Sequence, residues 1–224
     1  MYIRAKLFKA TGIDYGVTEF DFSIFYPGEL ITVGAGDYIV HIDKSSQDIV
    51  IKDVETLKQA FSGYSGSSEL INHAQEFLDL QEEYRVNAVF AAAVSISETS
   101  AGRAGHATNG KNNWFNIECT CGGNHGRFET YSSARESIEA FYRQIAVKSY
   151  YFTEGNYTVR SIGMIYCENA DAPGGWIENT TTFMTQMFNA AGINPSSSAT
   201  ATEQGEAIVA AAREKLGCSY VWGA

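Results

Sequence analysis

The chain has 224 residues, 45% of them hydrophobic, and a formal net charge of −10. That length supports one sizeable core with a smaller appendage. The acidic balance, with no Lys/Arg-rich block, argues against nucleic acid or an anionic membrane as partner, since both need clustered cations.

No apolar run approaches the ~18–20 residues that cross a bilayer. The opening MYIRAKLFKATGIDYG has neither the continuous apolar stretch nor the small-residue cleavage site of a secretory signal. Action outside a cell would rely on another export route or on a leader outside this sequence.

Residues 1–54 read as β. YIRAKLF, EFDFSIFY, ELITV, DYIVHI and DIVIKD are rich in β-branched and aromatic residues, and turn signals separate them. A short helix, VETLKQAF, follows. SGYSGSS, residues 62–68, reads as a flexible joint closing a β-rich region over residues 1–61.

From Ser68 the apolar period becomes helical. Leu70, Ile71, Ala74, Phe77 and Leu78 form one stripe of ELINHAQEFLDLQEEY, and RVNAVFAAAVSISE makes the next helix. The glycine- and asparagine-rich stretch that follows, residues 100–131, is expected to hold loops and one short β-hairpin.

SSARESIEAFYRQIAVKSYYF is helical again. Ser133 and Glu136 predict a capping box, and Ile138, Phe141, Tyr142 and Ile145 an apolar face. YTVRSIGMIYC and GWIENTTTFMTQMFNAAG supply two more helices, with Trp176, Ile177, Phe183, Met184, Met187 and Phe188 as core. INPSSSATATEQG is polar enough to be a linker, residues 192–205, before a last amphipathic stretch over 206–224.

The four cysteines, Cys119, Cys121, Cys167 and Cys218, are too few for a disulfide scaffold in a chain of this size. Cys119 or Cys121 could pair with Cys167. CTCGGNH could be a metal loop through Cys119, Cys121 and His125. Its spacing matches no zinc pattern and a fourth ligand is missing, so a polar turn with incidental thiols is expected, with no metal or cofactor.

The chemistry starts at SISETSAG. Val86, Phe90, Val94 and Glu98 recur every four residues and share the apolar face of their helix. A carboxyl half-buried among apolar groups is pushed toward its neutral form, and a neutral acid can protonate a leaving oxygen. Taken alone, Glu98 also fits the first exposed residue after the helix, or a backbone cap. NNWFNI then sets amide side chains around two aromatics. Such groups bind sugars through C–H contacts and hydroxyl hydrogen bonds, although WF also fits a hydrophobic anchor.

In order and spacing, AVFAAAVSISETSAG, NNWFNI and GRFETYSSARESIEAFYRQI resemble the glucosaminidase-type peptidoglycan hydrolases, glycoside hydrolase family 73 of the lysozyme-like superfamily. The resemblance covers residues 68–191. It implies an α+β fold: a mainly α lysozyme-like domain with a small β-hairpin, preceded by the β-rich N-terminal region. It implies cleavage of the β-1,4 bond between N-acetylglucosamine and N-acetylmuramic acid in bacterial peptidoglycan. By position, Glu98 matches the general acid. Asn113, Trp114, Phe115 and Asn116 match the segment flooring the cleft, and Tyr166 matches its tyrosine.

The hairpin region ECTCGGNHGRF is shorter than the family's, which leaves the second catalytic group open. Glu118, directly beyond the aromatic segment, is the better candidate and Glu129 the other. The substrate's acetamide, or a one-acid muramidase or lytic transglycosylase, are the alternatives. So is a non-catalytic glycan-binding module of a phage tail.

AREKLGCSYVWGA resembles the entry segment of NlpC-type cell-wall peptidases, which implies the start of a second enzyme. Expected surroundings are therefore a bacterial cell wall or a virion tail, with residues 1–61 contacting other tail or wall-opening proteins.

Overall fold

A computed structural model of the chain describes residues 22–26, 29–33, 37–45, 47–119 and 127–194. The linker and peptidase expectations for residues 195–224, and the strand YIRAKLF, lie outside them. The described part is mainly helical: α1 (Val54–Phe61), α2 (Ser68–Asn72), α3 (Ala74–Tyr84), α4 (Ala88–Thr99), α5 (Ala134–Val147), α6 (Val159–Tyr166) and α7 (Trp176–Ala190). None of these helices is long and apolar enough to cross a membrane.

α4 is the buried centre. Every residue from Ala88 to Ile96 is buried. Its three consecutive alanines, Ala91–Ala93, leave room for close neighbours, and α4 packs against α7, α3 and α1. Asn87 starts it by accepting from the Val89 and Phe90 amides, at 2.9 and 3.3 Å. α5 adds the predicted face of Ile138, Phe141, Tyr142 and Ile145, all fully buried. The Tyr142 hydroxyl donates to the Phe77 carbonyl, tying α5 to α3 at 2.9 Å.

Two helical expectations change in detail. The predicted helix over 69–84 is divided at His73 (φ −100°, ψ 8°). There the ring bonds Glu76 Oε2 at 2.7 Å and meets Trp114 edge-on at 5.3 Å, contacts that compete with an unbroken helix. At α5 only half of the capping box forms. Ser133 Oγ accepts from the Glu136 amide, but the Glu136 carboxylate accepts from Ser132 N–H and O–H instead of the Ser133 amide.

Among the described residues the N-terminal region contains an antiparallel pair, β1 (Phe22–Tyr26) and β2 (Glu29–Val33), in register from Phe22↔Val33 to Tyr26↔Glu29. Beyond it the chain enters the helical core. DYIVHI makes isolated bridges on both sides, Ile39 to Thr158 and His41 to Val86, instead of a regular strand. DIVIKD is no strand either: Gln47–Ile49 is a 3₁₀ turn, and Ile49, Val50 and Ile51 are buried. Side chains stand in for ladder partners there, because Asn87 Nδ2 donates to the Ile49 carbonyl and Gln81 Nε2 to that of Ile51.

Ile39, Val40, Leu57 and Phe61 therefore share one core with α3–α7. SGYSGSS is also held in place. Tyr64 packs on Phe183 at 5.8 Å and takes a bond from Arg103, whose guanidinium covers Gly66.

Candidate active site

Glu98 sits in the last turn of α4, one turn beyond Val94; Phe90 and Val94 below it are fully buried, as is Val86, which lies ahead of the Asn87 cap and not in the helix as expected. The chain then reverses through three successive left-handed residues, Ser100, Ala101 and Gly102 (φ 53°, 59° and 77°). Thr99 fastens the reversal. Its hydroxyl donates to the Trp114 carbonyl at 2.8 Å and accepts from the Gly102 amide at 3.2 Å.

Gly102 lies flat against the Trp114 indole, where a Cβ would stand 2.3 Å from the ring. Gly102→Ala combines left-handed strain with an overpacked contact, and should cost about 1–3 kcal/mol in a denaturant titration. An unchanged midpoint would contradict this packing.

NNWFNI runs beneath that reversal. Asn113 is fully buried, and its amide is consumed by backbone. Nδ2 donates to the Ile117 and Glu129 carbonyls, at 2.9 and 3.1 Å, and Oδ1 accepts from the Ile117 amide at 3.0 Å. These bonds close the base of the predicted hairpin, whose described arms bridge at Glu118 and Phe128. Trp114 and Phe115 are 4% and 0% exposed. Phe115 stacks on Phe141 with centroids 4.2 Å apart and rings 9° from parallel. Expected as cleft floor, Asn113, Trp114 and Phe115 instead form the core beneath the site. Residues that alternate between packing and solvent look alike in a short aromatic segment.

Asn116 is the residue of this segment that reaches Glu98. It adopts a left-handed backbone (φ 49°), which asparagine tolerates well. Its Nδ2 donates to Glu98 Oε2 at 2.8 Å and to the Glu98 carbonyl at 3.1 Å. On the other side, Trp176 Nε1–H donates to Glu98 Oε1 at 3.1 Å. Burial pushes the Glu98 carboxyl above its ordinary range, and the Asn116 and Trp176 donors pull it back only in part. The result is a half-buried acid with each oxygen held by one donor.

Tyr166, at the end of α6, donates its hydroxyl to the Phe115 carbonyl at 2.7 Å, and its ring lies 5.2 Å from Trp176. Burial, reinforced by the Glu98 carboxylate, raises its phenol well above the ordinary range, so it stays protonated. The approach of α6 to Trp176 depends on Gly163, where a Cβ would stand 2.9 Å from the indole.

Glu118 does not join this network. It is exposed and bound by Arg127, Nε to Oε1 at 2.6 Å. With Ile117, Glu129, Tyr131, Arg143 and Val147 it lines a groove of about 320 Å³ between the hairpin and α5. A second pocket of about 330 Å³ holds Asp37 and Arg160. Asp37 is buried there and accepts from the Tyr38 and Arg160 amides, at 2.8 and 3.1 Å. Glu98 lines neither pocket.

Cys119 is disulfide-bonded and Cys167 is a free, exposed thiol, so the pairing that Cys119 or Cys121 could have made with Cys167 does not occur, while the expectation of incidental thiols fails at Cys119. A disulfide sulfur is no thiolate ligand, which takes Cys119 out of the metal-loop reading and makes its thiol more than incidental. Cys121 and His125 lie outside the described residues.

Sequence reasoning missed Trp176 as a site residue, having placed it in the core, and assigned no role to Thr99. For Trp176 a signal existed, since a buried indole N–H needs an acceptor. Trp176 is both: 7% exposed, and the donor to Glu98.

No family model and no curated protein matches the chain. Among solved structures it is similar to autolysin E of S. aureus in complex with a muropeptide, at 16% identity, with 78% of this chain and 86% of that one covered and a TM-score of 0.49. It is likewise similar to a catalytic mutant of that protein in complex with the disaccharide NAG-NAM, at 16% identity, 70% and 75% coverage and a TM-score of 0.49. A further structure of autolysin E gives 17% identity, 77% and 85% coverage and the same TM-score of 0.49.

Proposed function

We propose that this chain is a peptidoglycan glycosidase that cleaves the β-1,4 bond between N-acetylglucosamine and N-acetylmuramic acid, with Glu98 as the general acid. The observation that carries the reading is the Glu98 carboxyl, raised by burial and held by Asn116 and Trp176 at the end of a buried helix. The order of SISETSAG, NNWFNI and GRFETYSS along the chain supports it. The expected place of action is the bacterial cell wall.

In this reading neutral Glu98 gives its proton to the glycosidic oxygen as the bond to the anomeric carbon of N-acetylglucosamine breaks. The departing sugar leaves as the alcohol and Glu98 as the carboxylate. Asn116 and Trp176 then stabilise the new charge, since both donate to it. Water completes the reaction at the anomeric carbon and returns a proton to Glu98. Tyr166 holds the Phe115 backbone beneath Asn116 and stands beside Trp176 as a wall of the site.

Glu118 is the carboxylate proposed to meet the positive charge at the sugar. It lies on the hairpin two residues beyond Asn116. A specific observation favours a second route: Glu118 is solvent-exposed and engaged by Arg127, outside the Glu98 network. In that route the N-acetyl oxygen of the substrate attacks the anomeric carbon.

Reducing-end release from purified cell walls separates the two. If Glu118 acts directly, Glu118→Gln should fall by ~10²–10⁴-fold, the ordinary worth of a positioned acid–base group. Retained activity in Glu118→Gln, with loss in Glu98→Gln, would assign the step to the acetamide. Retained activity in both would overturn Glu98 as the general acid.

A further inference from the structure

Asn116 holds Glu98 with one end of its amide, and the other end meets a residue that no reading above employs. His106 Nδ1 lies 3.0 Å from Asn116 Oδ1. A carbonyl oxygen only accepts, so this contact requires the hydrogen on Nδ1. The imidazole lies over Phe128, with ring centroids 3.9 Å apart at 34°. Its backbone is fixed as well, in the 3₁₀ turn Gly105–Ala107, where the His106 carbonyl accepts from the Asn113 amide at 3.0 Å.

The consequence lies in how an asparagine can turn. Rotation about its last bond exchanges the oxygen and the NH₂ group. Facing a neutral Glu98, a turned Asn116 would accept the acid's proton from Oε2, and that proton would be held inside the protein. In the observed orientation Nδ2 donates to Oε2, and Trp176 donates to Oε1. The proton of the neutral acid is then left on a lone pair that faces neither residue. A turned amide would set its NH₂ against the His106 N–H and its oxygen against the Glu98 carbonyl, which now accepts from Nδ2 at 3.1 Å.

We infer that His106 is a positioning residue: by donating from Nδ1 to Asn116 Oδ1 it locks the amide with its NH₂ toward Glu98, so that the acid's proton stays available to the substrate. The inference rests on the reading of Glu98 as the general acid. Through the stack on Phe128, it also couples the hairpin arm opposite Glu118 to the orientation of the acid.

Two variants of the full chain separate the donor from the ring. His106→Phe keeps a ring over Phe128 and loses the donor. His106→Asn loses the ring and places an amide NH₂ where Nδ1 was. The Glu98 carboxyl is titrated by carbon NMR in the free protein, and kcat and KM are measured on solubilised peptidoglycan strands.

His106→Phe should raise the Glu98 titration midpoint, because a freed Asn116 can accept from the neutral acid. It should lower kcat by about tenfold with KM nearly unchanged, the scale of one hydrogen bond. His106→Asn should restore both values.

A Glu98 titration left at the wild-type position in His106→Phe overturns the inference. So does a His106→Asn protein as impaired as His106→Phe, or nitrogen shifts showing the wild-type hydrogen on Nε2. A titration shift in a protein whose wild type leaves glycan uncut supports the lock and overturns the glycosidase reading. Glycan cleavage with an unshifted titration does the reverse.

Discussion

Glu98→Gln is expected to lower glycan cleavage by ~10²–10⁴-fold while the protein stays folded. The wild-type activity should fall as pH rises through a midpoint above the ordinary carboxylate range, since the acid works only while protonated. Burial is the cause of that raised midpoint, outweighing the Asn116 and Trp176 bonds that favour the charged form.

The same shift links stability to pH. The folded state binds this proton more tightly than the unfolded chain does. The fold therefore gains stability as pH falls through the raised folded midpoint, and the gain is complete below the unfolded one. Conversely, as pH rises the charged carboxylate opposes folding.

The single side-chain oxygen left by Glu98→Gln can accept from only one of the two donors, so the variant carries a constant penalty. The slope is the readout. From the unfolded midpoint upward through the raised folded one, wild-type stability relative to Glu98→Gln should decline. A relative stability that rises with pH would mean a Glu98 midpoint below the unfolded value, and no acid role.

Phe115→Ala should cost about 3–5 kcal/mol in chemical denaturation, the largest stability effect expected here. Phe115 is fully buried against Phe141, and truncation leaves a cavity under the hairpin. Its backbone carbonyl also anchors the Tyr166 hydroxyl, so the site should loosen along with the core. Phe115→Leu, which keeps most of the volume, should cost clearly less. The outcome distinguishes core from cleft floor. A floor residue would weaken substrate binding at unchanged stability, and a loss below about 1 kcal/mol would contradict its burial.

Periodicity alone located much of this fold. VETLKQAF coincides with α1, and the alanine-rich run coincides with α4 because nine consecutive buried positions need an unbroken apolar helix. The apolar face of α5 was legible for the same reason. His73 was not, since a break made by a ring contact with Trp114, far along the chain, leaves no local signal. The strand-like DIVIKD misled because β-branched residues suit any buried extended backbone, and the amides that satisfy it come from Asn87 and Gln81.

At the site, the place of Glu98 at the end of the apolar stripe was legible, but that pattern fits a cap or an exposed residue as well as an acid, and its partners were not legible at all. Asn113 and Asn116 are alike in type, yet Asn116, left-handed at φ 49°, sends its amide to the acid while that of Asn113 is buried in backbone bonds. Trp176 reads as core from its neighbours and proves to be core with its N–H directed at Glu98.

The most direct test of the central claim is mass spectrometry of the fragments released from purified peptidoglycan, with the new sugar ends reduced and identified. Glu98 acting on the proposed bond predicts reducing N-acetylglucosamine ends, absent with Glu98→Gln. Reducing N-acetylmuramic acid ends or anhydro-sugars would contradict the bond assigned. Intact strands from the wild-type protein would contradict the activity itself.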